Sequence, residues 1–207
     1  MSREDKFFKM CTELPYAEEK DPRDEHTIPE LAKVAQFRDN DDMASAIEYA
    51  QALAKMFSDF DLVPFMIAYM QYADNKPGDA LSTAIEAIPK CPRKYRLYSV
   101  AGLSEIDQGH VANALVWFTR SAIAQSQVLD FQEVDAYLYL AHAAAAIGAT
   151  GHADVFFTMT DAIDPSSPRL DKADADRLAP LKDSWAKNPF IKALEYIELH
   201  YLRKPAS

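Results

Sequence analysis

Four alanines, Ala46, Ala80, Ala114 and Ala153, recur through the middle of the chain, the first three about 34 residues apart and the last about 39. A period of that length matches two short antiparallel helices with their connections, and such a unit cannot bury its apolar face alone, so neighbours must stack. Companion positions keep the same frame. Four residues after each anchor stand Ala50, Ala84, Phe118 and Phe157, and twelve after stand Ser58, Pro92, Ser126 and Pro165, where a second helix should stop. Five residues before stand Asp41, Asn75, Gly109 and Gly148, residue types that tolerate the left-handed backbone of an interhelix turn. Twelve before stand Val34, Ala68, Gly102 and Ala141, mostly small, where two helices can approach closely. The added length in the last spacing falls near 127–132.

The expected fold class is therefore all-α. Alanine, about one residue in six, and only 5 glycines in 207 residues agree with packed helices, and 49% hydrophobic residues suffice for a continuous core. Thr27-Ile28-Pro29-Glu30 and Asp130-Phe131-Gln132-Glu133 read as helix starts with capping residues, and Asp61 and Asn188 as further caps. First helices are expected at 28–39, 61–74, 93–108 and 130–147, and second helices at 42–57, 78–89, 111–126 and 151–163.

This pattern resembles the tetratricopeptide repeat family. The segment Tyr98 to Ser126, YSVAGLSEIDQGHVANALVWFTRSAIAQS, places Gly102, Gly109, Ala114, Phe118 and Ala122 where that family's signature residues fall, and Gly78 to Pro92 does so with Ala80, Ala84, Ala87 and Pro92. The resemblance implies four helix hairpins over 27–168 in a right-handed superhelix, an N-terminal arm over 1–26 and capping helices over 169–207. It also implies a protein-protein interaction module, an adaptor or chaperone, with first helices lining a concave groove. A translocator-binding chaperone of type III secretion is an alternative within the same resemblance, and a self-assembling scaffold is a third reading.

Helical spacing nominates the inward side chains: Leu31, Ala35 and Arg38; Phe65, Tyr69 and Tyr72; Arg96, Ser99, Leu103 and Ile106; Leu138, His142 and Ala145. The candidate peptide-binding set is Phe65, Tyr69, Tyr72, Arg96, Leu103, Leu138 and His142, a mostly apolar groove in which Arg96 or Arg38 would meet a carboxylate or carbonyl. An aromatic stripe is equally the mark of a core, but tyrosine hydroxyls favour a wet edge, which suits Tyr69 and Tyr72 to a groove lip. Members that grip acidic chaperone tails use lysine, asparagine and arginine at the inward places. Here those places hold Leu31, Ala35, Met66, Arg96 and Val100, of which only Arg96 is suitable.

No catalytic or cofactor motif emerges. His26, His110, His142, His152 and His200 show no metal-ligand spacing, and no glycine opens a phosphate-binding loop, so neither metal nor cofactor is expected, nor an enzyme. Cys11 and Cys91 are lone cysteines; Lys90 and Arg93 would activate Cys91 only if it were exposed. A formal charge of −10 disfavours nucleic acid, and no apolar run is long enough for membrane insertion, so a cytoplasmic protein is expected. Residues 1–26 read as a short helix and a solvated arm. Near the other end, Phe190, Leu194, Ile197 and Tyr201 form an apolar stripe that serves as a capping surface or a homodimer contact.

Overall fold

The computed structural model describes residues 1–23, 29–130 and 132–202, and among these the regular structure is entirely helical. Four helix pairs follow in order: α2 (Leu31–Asp39) with α3 (Met43–Ala54), α4 (Leu62–Ala73) with α5 (Pro77–Ala87), α6 (Tyr95–Asp107) with α7 (Val111–Val128), and α8 (Val134–Ala146) with α9 (Thr150–Ile163). They are preceded by α1 (Arg3–Thr12) and followed by α10 (Lys172–Leu178), a 3-10 segment (Ala179–Asp183), α11 (Lys187–Ile197) and a π-helical turn (Glu198–Leu202). Within every pair the turn contains a residue in the left-handed region: Asp41 (φ 59°), Asn75 (58°), Gly109 (77°) and Gly148 (82°). These are the four turn positions expected from the alanine frame, and each residue type lowers the steric cost of positive φ, glycine by lacking Cβ and Asp or Asn by local hydrogen bonding.

The anchors are the contact points between helices. Ala46, Ala80 and Ala114 are fully buried and Ala153 nearly so, as are Val34, Ala68 and Ala141. At Gly102 a Cβ would lie 2.5 Å from the Phe118 ring, which is itself stacked on Tyr139 with centroids 4.7 Å apart. The fourth pair departs from the frame. Phe156, not Phe157, is the fully buried aromatic, stacked on Tyr137, while Phe157 is half-buried and meets His142 edge-on.

Two helix starts differ from expectation. α8 begins at Val134 because Gln125 clamps both backbone groups of Glu133, accepting from its N–H and donating to its carbonyl, while Asp130 accepts from the Tyr95 hydroxyl and Arg93. α2 begins at Leu31, and Thr27 and Ile28 of the expected cap lie outside the described residues. Asp61 makes no capping bond, and Asn188 falls inside α11.

The flanking segments form part of the core. α1, closed by a reciprocal Ser2–Asp5 capping box, packs on α7 and α11. Phe190, Leu194 and Ile197 are fully buried in the cluster that holds Phe7 and Cys11, and Tyr201 packs against it. The proposed homodimer stripe is thus corrected: α1 and α7 of the same chain cover it. The described arm after α1, residues 13–23, is mostly exposed, as expected, but it is pinned to the start of α6. Lys94 Nζ donates to the Ala17 carbonyl (2.6 Å), the Lys94 amide to Glu18 Oε1 (2.7 Å), and Arg93 to the Arg23 carbonyl (3.0 Å).

Burial divides into two main clusters. One belongs to α2, α3 and α4 with Phe60; the other spans α6 to α9 and gathers α1, α10 and α11. Two smaller clusters join α4, α5, α6 and α7: one of Ala68, Ala84, Val100 and Ala101, with Phe65, Tyr72, Leu81 and Trp117 packed against it, and one of Ala87, Ile88, Cys91, Tyr95, Leu97, Tyr98 and Ala124. No helix among the described residues is long and apolar enough to cross a membrane.

Candidate functional site

The face shared by α2, α4, α6 and α8 carries the nominated residues, and the structure divides it in two. On α4, spacings of four and three put Phe65, Tyr69 and Tyr72 in one row, with successive ring centroids 5.8 and 6.5 Å apart. Phe65 and Tyr72 are half-buried; Tyr69 is 42% exposed, a large share for an aromatic ring. Beside the row, Leu31, Ala32, Ala35 and Arg38 of α2 face Leu62, Phe65 and Met66 of α4 across a cleft of about 410 Å³. Arg38 stands at its rim, paired with Asp39 at 2.9 Å.

The other half is covered. Leu103 and Leu138, expected on the groove wall, are only 6% and 5% exposed and belong to the interior. The chain after α9 returns across α8: the Leu170 amide donates to His142 Nε2 at 3.3 Å, and Arg169 lies over the Phe157 ring at 4.3 Å. α10 then packs on α8 as Arg177 pairs with Asp107 of α6, and Leu178 and Leu181 enter the cluster containing Leu103. His142 is thereby committed to a backbone amide, which requires an unprotonated Nε2, and burial followed by the Arg169 charge lowers its pKa.

Arg96 is equally committed. It pairs with Asp61 (3.0 Å) and Glu133 (3.4 Å) and donates to Gln132, so the expectation that it waits for a partner's carboxylate is corrected. Around it lies a charged collar that spacing alone did not reveal, built from the N-terminal ends of α4, α6 and α8. Asp61 is fully buried between Arg93 (3.3 Å) and Arg96, and Arg93 reaches Asp130 (3.3 Å). Burial, opposed by Arg96 and reinforced by Asp135, Asp61 and Asp130, pushes Glu133 up to about 7. Asp135 is raised by burial, and no described residue donates a hydrogen bond to its carboxylate. It lies three residues before Leu138, a same-face spacing from which it was legible. The collar reaches the aromatic row: burial, then the charges of Asp135 and Glu133, raise the Tyr69 pKa.

Other reactive types are spent elsewhere. Cys11 and Cys91 are buried free thiols, each pushed up to about 12 mainly by burial, so the Lys90 and Arg93 charges do not activate Cys91. His110 rests on Glu105 (2.8 Å) and His152 on Glu198 (2.6 Å); His26 lies outside the described residues. Among the described residues no three His, Cys, Asp or Glu side chains cluster as metal ligands do. Comparison with protein-family profiles, curated proteins and solved structures returns no match to this chain.

Proposed function

We propose that this protein is a binding module that holds a segment of another protein, acting as an adaptor or chaperone and not as a catalyst. In this reading the four pairs form a tetratricopeptide-like superhelix, supported by their common period and their four left-handed turns. The contact surface is the uncovered half of the first-helix face: Phe65, Tyr69 and Tyr72 with the α2–α4 cleft. The observation that carries it is the exposure of Tyr69, because at the equivalent positions Leu103 is buried and His142 is engaged by the Leu170 amide. An aromatic row beside an apolar cleft suits spaced hydrophobic anchors, at the micromolar affinity typical of short segments.

The test is selection of random dodecapeptides on the intact protein, followed by anisotropy titration of the enriched sequences. Tyr69→Ala is expected to weaken them at least tenfold with the circular dichroism spectrum unchanged. Undiminished binding to that variant would show that the contact surface lies elsewhere.

A further inference from the structure

We infer that the segment 164–171, which crosses α8 after α9, is a lid latched by His142, and that protonation of this imidazole in mild acid releases it and uncovers the α8 end of the first-helix face. The inference goes beyond the reading of the aromatic row as a contact surface and does not depend on it.

The lid is held at few points. Pro165, Ser166, Pro168, Arg169 and Asp171 are exposed, and the hydrogen bonds made by Ser166 and Ser167 are local, to Asp164. Among the described residues, one backbone hydrogen bond ties 165–170 to another element, that from the Leu170 amide to His142 Nε2 at 3.3 Å. The Leu170 side chain packs against the larger cluster and is partly buried. Arg169 adds an ion pair with Asp161 of α9 at 3.0 Å, exposed on both sides and therefore weak. Its guanidinium lies 4.3 Å from the centre of the Phe157 ring, and His142 meets the same ring edge-on with centroids 5.0 Å apart.

This arrangement makes the latch sensitive to one proton. Accepting the Leu170 amide requires a lone pair on Nε2, so the neutral ring carries its hydrogen on Nδ1. A second proton turns Nε2 into a donor that points at another donor, and the latch bond is lost. The new cation also shares the Phe157 ring with Arg169, which adds repulsion between like charges. Of the charged groups around it, Arg169 of the lid acts on the ring and is paired with Asp161 of α9. On α10, Asp174 is paired with Arg177, which also holds Asp107 of α6, and Asp135 lies two turns earlier on α8. Burial, then the Arg169 charge, hold the imidazole below its ordinary value of 6.5. The folded chain thus takes this proton less readily than the unfolded one. The bond contributes in full above 6.5 and is lost as pH falls through the lower folded value.

The experiment follows the 207-residue chain by nitrogen-15 NMR between about pH 7.5 and 5, the range in which an imidazole titrates. The protection factor of the Leu170 amide, taken against its intrinsic exchange rate at each pH, should fall about tenfold in step with the His142 ring titration. The order parameters of Arg169 and Leu170 should drop in the same step toward the flexible range, below about 0.6. His142→Gln keeps an acceptor and removes the titration, so its Leu170 protection should not change with pH. His142→Ala, without an acceptor, should leave the amide unprotected throughout. Constant protection at Leu170 while His142 titrates would overturn the inference, and so would the same pH step persisting in His142→Gln. The titration of the original protein decides the matter even if a variant fails to fold, and no readout involves a peptide, so the latch and the docking reading are tested separately.

Discussion

Single residues show how tightly the helix frame constrains the chain. Gly102 sits where α6 and α7 touch, and its missing Cβ makes room for the Phe118 ring, which Tyr139 holds from the other side. Gly102→Ala gains helix propensity, about 1 kcal/mol, but forces the ring out of a packed interior, which costs about 1–3 kcal/mol. A net loss in melting temperature is expected, whereas Gly151→Ala, where a Cβ meets nothing within 4 Å, should be neutral or stabilising. Glu18 makes a pH-dependent case. Burial, with the nearby Asp61 charge, lifts its pKa from 4.5 to about 7 despite the Lys94 amide and charge. A raised folded-state pKa contributes stability below the unfolded value that is lost as pH rises through the folded one. Glu18→Gln should thus match the original protein at pH 4 and exceed it at pH 8 by on the order of 1 kcal/mol, about 2–4 °C in a thermal melt. A difference that does not grow with pH would contradict this assignment.

At the scale of helices, α11 offers the clearest test. Its apolar side, Phe190, Leu194 and Ile197, is closed by α1 and α7, so the 207-residue chain should sediment as a monomer at about 100 µM, below the range where weak contacts dominate. A stable dimer would have to use another surface. Helix pairs and their turns were legible in the sequence because Asp41, Asn75, Gly109 and Gly148 satisfy a local backbone requirement that few other residues meet. Tyr69 was legible as a surface residue because helical spacing fixes its side of α4. The return of Leu170 to His142, and with it the covering of Leu138, was not, since it joins residues far apart in sequence through one backbone bond. Nor was the exchange of Phe157 for Phe156, which depends on which ring Tyr137 accepts. Arg96 was placed on the correct helix side but read as free, because its partners Asp61 and Glu133 come from two other helix ends.

For the whole molecule, the division of burial predicts uneven stability. The cluster of α2, α3 and α4 stands at one end of the array, where α2 and α3 pack only on each other and on α4, whereas α6 to α9 share a cluster with α1, α10 and α11. In a stacked helical array, stability is the sum of unit and interface terms, so an end unit with a single neighbour opens first. Amide hydrogen exchange should therefore show α2 and α3 exchanging through openings of lower free energy than those of α6, α7 and α8, which share the cluster stitched by α1 and α11. A segment seated in the α2–α4 cleft adds a second expectation, because the cleft's lining comes from both helices. Such a ligand stabilises their packing by mass action. Saturation with a selected peptide should therefore slow exchange in α2, α3 and α4 more than in α6 to α8. Equal slowing across the chain would mean that the peptide does not seat in that cleft.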